Sequence, residues 1–204
     1  MGNQNSSKKY RDISQEELHF VRTLATHIRA KTPQPFWHWL IPFKFALEML
    51  AKSRMTDELS KNVFQARQLA LDSAYALQEG KDRTSVLQDL EANLQKWLQG
   101  QNLYTQDILD KQLQLAEQFM EHYCRLFKAQ GRGYQELVRN AYLQPQAYQD
   151  VLQRISDLEK DIDQEVLQIA DSRVSDSSKL EQNIQAKQEA LQETRAREVR
   201  RIFK

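Results

Sequence analysis

Glu16 and His19 stand three residues apart, the E-x-x-H spacing with which carboxylate-bridged di-iron bundles hold metal. Such a site needs two of these pairs and further glutamates facing one core. Here the spacing occurs once, and on a helix both residues fall opposite the apolar face of Leu18, Val21 and Ile28. They read as solvated side chains. The run "EHYC" places Glu121, His122 and Cys124 close in sequence, but residues one or two apart do not share a helix face. His122 lies at the edge of an apolar half-surface, where a hydrogen-bonded core histidine is the simpler expectation. Cys124, the single cysteine, has no basic cluster beside it and borders the same stripe, so a buried structural thiol is expected.

Other chemistries fare no better. The chain contains no G-x-S-x-G, no P-loop and no G-x-G-x-x-G, and "GRG" at Gly131–Gly133 is too short to define a phosphate loop. The basic terminus "RAREVRRIFK" could lie along phosphates. It lacks interleaved aromatic platforms, and basic residues at a helix C-terminus complement the macrodipole without any ligand. The expectation is therefore a non-catalytic protein without metal, cofactor or nucleic-acid partner. The alternative is a metal- or cofactor-binding helical-bundle enzyme whose site these spacings do not reveal.

Helices would have to position all of these residues. Of 204 residues, 40% are hydrophobic and only five are glycine and four proline, which suits a sizeable helical core. Net charge is +1, too small for a global pull toward polyanions. One cysteine excludes an internal disulfide and fits a reducing, cytoplasmic setting. No signal-peptide pattern and no run long enough to span a membrane is visible.

The periodicity predicts an all-α, multi-helix bundle over residues 13–143 and a coiled-coil-like helical hairpin over 146–204, after a flexible tail over 1–12. "SQEE" at Ser14–Glu17 has the form of a capping box for the first helix. A helix from about Thr56 to Gln78 carries two apolar faces, one of them Phe64, Leu71 and Tyr75, so it is either central or shared with a second chain. The helix from about Thr105 to Ala129 has the broadest stripe, Leu109, Leu113, Ala116, Met120, Tyr123 and Phe127 flanked by Ile108, Leu115, Phe119 and Leu126, and is expected at the bundle centre. Pro145 can open a helix at its first position. Val151, Ile155, Leu158, Ile162, Val166 and Ile169 then form a narrow seam.

The segment "TPQPFWHWLIPFKFALEML", Thr32–Leu50, concentrates aromatic and rigid residues. It can serve as bundle core, as a helix lying in a membrane interface, or as a docking patch, with Phe36, Trp37, Trp39, Phe43 and Lys44 as the candidate contacts. Residues 1–54 carry nine basic and four acidic side chains, and "MGNQNS" fits an N-acylation pattern with Gly2 as acceptor. Residues 145–181 carry nine acidic and four basic side chains, a counterweight inside the same chain. Homo-oligomerisation is expected through Phe64, Leu71, Tyr75, Leu158 and Ile162. The functional expectation is an intracellular scaffold or adaptor acting through protein contacts, self-associating and able to rest on a membrane surface.

Overall fold

A computed structural model describes residues 2–31, 55–100, 103–171 and 178–204. Among them are seven helices and no strand: α1 (Gly2–Lys31), α2 (Met55–Gln78), α3 (Arg83–Gly100), α4 (Gln106–Lys128), α5 (Tyr134–Tyr142), α6 (Pro145–Asp171) and α7 (Ser178–Ile202). The all-α bundle is as the periodicity predicts. The aromatic segment and its candidates Phe36, Trp37, Trp39, Phe43 and Lys44 lie outside the described residues.

Local chemistry explains the helix ends. Thr105 caps α4, its hydroxyl accepting from the Ile108 N–H at 3.1 Å. Asp107 in the first turn and Arg125 and Lys128 in the last complement the dipole. Asp82 accepts from the Ser85 N–H at 3.0 Å and does the same for α3. Pro145 opens α6, where its missing N–H costs no helical hydrogen bond. Thr105→Ala should cost about 1 kcal/mol in unfolding free energy. A melting curve identical to wild type would show that the cap contributes nothing.

Helix α4 is the hub, packing against α1, α2, α3, α5 and α6. Ile108, Leu115, Ala116, Phe119, Met120, Tyr123, Leu126 and Phe127 are all buried on it. Their core continues through Leu90 and Leu94 of α3, Leu137 of α5, Tyr148, Val151 and Ile155 of α6, and Ile202 of α7. The expected bundle and hairpin thus share one core at the base of α6 and α7. These two helices run antiparallel, with Glu159 paired to Arg195 and Asp163 to Lys187. A smaller cluster joins α1 to α7 through Phe20, Val21, Leu24, Ala25, Ile28, Ala190 and Leu191.

Two expectations need correction. Residues 2–12, read as a flexible tail, are helical and belong to α1. Lys9 donates to the carbonyls of Phe127 and Ala129, both at 2.7 Å, and so satisfies acceptors that the end of α4 leaves over. Tyr10 packs on Tyr75 with ring centroids 5.1 Å apart and donates to Asp72. Ser14 is consequently mid-helix, its hydroxyl donating to Gln68 rather than capping. These contacts are long-range, so local pattern could not show them.

The second correction concerns the oligomer candidates. Leu71 is fully buried in the core, and Tyr75 lies between Tyr10 and Phe127. At Leu71 and Tyr75 this face of α2 packs within the chain, with Tyr75 half-buried between α1 and α4. Ile162 is buried and Leu158 half-buried against the same core. The side chain of Phe64 lies outside the described residues. The acidic run of α6 is likewise answered within the chain, by Arg67, Lys111, Lys187 and Arg195.

Between α4 and α5 the chain turns too tightly for a side chain at Gly131. A Cβ there would sit 2.9 Å from the Glu136 Cβ and 3.0 Å from its carbonyl carbon. The tight approach lets the Glu136 carboxylate accept from the Arg132 N–H at 2.7 Å. Gly131→Ala should destabilise by about 1–3 kcal/mol through this overlap, measurable by denaturant unfolding. Unchanged stability would mean that the loop relaxes freely.

Candidate functional site

Six helices each place a polar side chain where their apolar stripe should continue. On α1, Glu17 stands four residues after Ile13 and four before Val21, both buried. Arg67 precedes Ala70, Leu71 and Ala74 on α2, and His122 follows Phe119 on α4. Glu198 lies four residues before Ile202 on α7. Tyr134 of α5 and Tyr148 of α6 complete the set. At helical spacing these groups must point inward, and they converge on one place.

Two ion pairs form its charged half. Arg67 donates through Nη1 to Glu17 at 2.5 Å, with side-chain exposures of 7% and 6%. Its Nη2 lies 4.0 Å from Glu159, and Glu159 accepts from Arg195 Nη2 at 2.8 Å. Charges therefore alternate along Glu17, Arg67, Glu159 and Arg195. The rings of Phe20 and Phe119 flank the Arg67 guanidinium, their centroids 4.3 and 4.6 Å from Cζ. Arg serves here because it combines a planar face for aromatic stacking with several donors around its edge.

Hydroxyls form the other half. Tyr134 and Tyr148 both donate to Glu198 Oε1, at 3.0 and 3.1 Å, with their own oxygens 3.2 Å apart. His122 Nδ1 shares a hydrogen bond of 2.7 Å with the Tyr142 hydroxyl, and the imidazole stacks on Tyr142 and Tyr148. The Tyr123 hydroxyl is close enough to feel the Glu17 charge but lacks hydrogen-bond geometry to it.

Burial sets the protonation of these groups. It pushes the Glu198 carboxyl up to about 7, with the Glu17 charge adding and the tyrosine hydrogen bonds and Arg67 opposing. Burial lowers His122 to about 4; Glu17 works against that shift, while Arg67 and Arg125 reinforce it. Tyr134 and Tyr148 rise well above the usual phenol range, again chiefly by burial. Desolvation lowers Arg67, but Glu17, Tyr123 and Glu159 more than restore it.

The cavity at this meeting point measures about 10 Å³, room for one water and not for an organic substrate. A wider cleft of about 560 Å³ lies between the start of α1 and the α4–α5 connection. Two of its charged lining residues have structural tasks: Lys9 covers the end of α4 and Glu136 accepts from the Arg132 backbone N–H.

Most of the residues singled out in the sequence lie elsewhere. His19 is exposed, while Glu16 lines the rim of the small cavity and pairs with Arg201. The "EHYC" trio does not meet, since Glu121 is exposed, His122 buried and Cys124 half-buried. Burial pushes the Cys124 thiol up, away from nucleophilic character. His122 is the hydrogen-bonded core histidine its position suggested. Gly2 is the first residue of α1. Three residues of the basic C-terminal run are engaged internally, Arg195 on Glu159, Arg197 on His27 and Arg201 on Glu16. Among the described residues no group of His, Cys, Asp and Glu could hold a metal ion, and no helix is long and apolar enough to cross a membrane.

Glu17, Arg67 and Glu198 escaped the sequence reading. A signal was present for two of them: Glu17 and Arg67 interrupt apolar rows at a spacing of three or four, as in Val63, Arg67 and Leu71, whereas Glu198 has only Ile202 as an apolar neighbour at that spacing. Comparison with known proteins finds no matching family model, and neither a curated protein nor a solved structure of significant similarity.

Proposed function

We propose that this chain is a non-catalytic helical scaffold that acts through protein contacts in the cytoplasm. The observation that supports the reading is the enclosure of its convergent ionisable groups. Glu17, Arg67, His122, Glu198 and the tyrosines engage one another around a space that admits one water. A binding or catalytic site would keep such groups open to a ligand of useful size. What remains for partners is the outer surface and the aromatic segment Thr32–Leu50. That segment's contacts, Phe36, Trp37, Trp39, Phe43 and Lys44, are proposed to dock a protein or rest at a membrane interface. Acylation at Gly2 would add the second signal that stable membrane attachment needs. Self-association is proposed to use the outer surface of the bundle, since Leu71 is fully buried.

Trp37→Ala and Trp39→Ala test the role of the segment. As a docking surface it should leave the melting temperature unchanged, while binding to a co-purifying protein or to anionic vesicles drops by tenfold or more. If either tryptophan is core, that variant should instead lose about 3–5 kcal/mol, and the docking role falls. Elemental analysis and the visible spectrum of the native protein test the non-catalytic half. Stoichiometric iron or manganese would favour the metal-binding enzyme in its place.

A further inference from the structure

Arg195 presents five N–H donors from a site only 6% exposed. Glu159 takes one, at Nη2. The Nε–H and Nη1–H are buried and have no acceptor among the described residues, and the second Glu159 oxygen, Oε2, is buried without a donor. A buried charged donor left unpaired costs more than the net worth of most hydrogen bonds, so such groups call for a partner. Arg195 also lines the cavity of about 10 Å³, together with Glu17, His122, Tyr134, Tyr148 and Glu198.

Size and charge decide what fits there. The volume admits one small particle and excludes organic ligands. Glu17, Arg67, Glu159 and Arg195 balance to zero. Glu198, with its carboxyl at about 7, adds zero or negative charge, and His122 at about 4 is neutral above acid pH. An added anion would face Glu17 and Glu198 in a low dielectric, and an added cation would face Arg67 and Arg195. No metal-holding group of side chains is present among the described residues. The particle should be neutral, accept from a guanidinium and donate to a carboxylate.

We infer that a single water molecule is bound at the Arg195 Nε–H and Nη1–H edge of this cavity and belongs to the fold. It supplies the acceptor that Arg195 lacks and joins the ion-paired half of the network to the tyrosine–glutamate half. Immobilising one water costs less than leaving two charged donors buried and unpaired.

The test uses the wild-type chain in two ways. High-resolution crystallography, with sodium bromide replacing chloride, should show one peak within hydrogen-bond distance of Arg195 Nε or Nη1. That peak should carry no anomalous bromide signal. In solution, the ¹⁵N-labelled Arg195 Nε–H should give laboratory-frame and rotating-frame cross-peaks to water of opposite sign, as expected for a long-lived bound molecule. An anomalous peak at the site would replace water by halide and overturn the inference. A clear map with no peak there, or an Nε–H with no water cross-peak, would overturn it equally.

Discussion

Arg67→Met is expected to lower the unfolding free energy by about 3–5 kcal/mol, because it strands buried carboxylates. Glu17 would lose its only ion-pair partner among the described residues, at a position where its side chain is 6% exposed. Glu159 would lose the more distant of its two cations and keep Arg195. The Phe20 and Phe119 rings would also lose the cation between them. Methionine is long and flexible enough to occupy the same channel, so cavity formation should be a minor part of the loss. Adding Glu17→Gln should recover part of the stability, since no carboxylate then remains unpaired at that position. Such recovery is the coupling expected for residues in direct contact. Denaturant unfolding of the two single variants and the double variant gives the coupling directly. Additive losses would show that Glu17 and Arg67 do not depend on each other.

Glu198 and His122 should impose opposite pH dependences on stability. Glu198 rises from 4.5 to about 7 on folding. Its folded form therefore holds the proton more tightly, and its contribution is complete below pH 4.5 and lost as pH rises through 7. His122 falls from 6.5 to about 4. Its contribution is complete above pH 6.5 and lost as pH falls through 4. At 1.36 kcal/mol per unit, each spans about 3 kcal/mol. Between pH 4.5 and 6.5 the slopes cancel, because folding in effect moves one proton from the histidine to the glutamate.

Removing one group should expose the other. Relative to wild type, the Glu198→Gln curve should climb by about 3 kcal/mol from pH 4.5 to 7. The His122→Asn curve, which keeps a polar group facing Tyr142, should fall relative to wild type by a similar amount from pH 4 to 6.5. Difference curves are the right readout, because exposed carboxylates titrate in all three proteins. Flat differences across pH 4–7 would mean that neither group changes its proton affinity on folding.

Helix α4 was legible before any coordinates, down to its Thr105 start, because its stripe and its cap are properties of neighbouring residues. The same holds for Pro145 at the head of α6. The start of α1 was not, since Lys9 and Tyr10 are ordered by partners on α4 and α2 more than 60 residues away in sequence. Nor was the packing of Leu71 and Tyr75, on the second face of α2, within the same chain. A periodic stripe says that a face is buried but not whether a second copy or the same chain buries it.

The network shows the division most sharply. Local sequence set Glu17 and Arg67 in apolar rows, because helical spacing alone assigns a side chain to a face, while Glu198 stands among Thr194, Arg195 and Arg201 with only Ile202 apolar beside it. Whether each charge turns to solvent, meets a like charge or finds its counterion depends on the helix opposite. The partners here are 50 residues apart for Glu17 and Arg67, 64 for Tyr134 and Glu198, and 50 for Tyr148 and Glu198. Composition and periodicity were enough to determine an all-α chain with α4 at its centre, since burying apolar stripes requires little more. Only the tertiary structure decided that its ionisable groups close on one another in the core, because electrostatic energy depends on distances that helical periodicity does not contain.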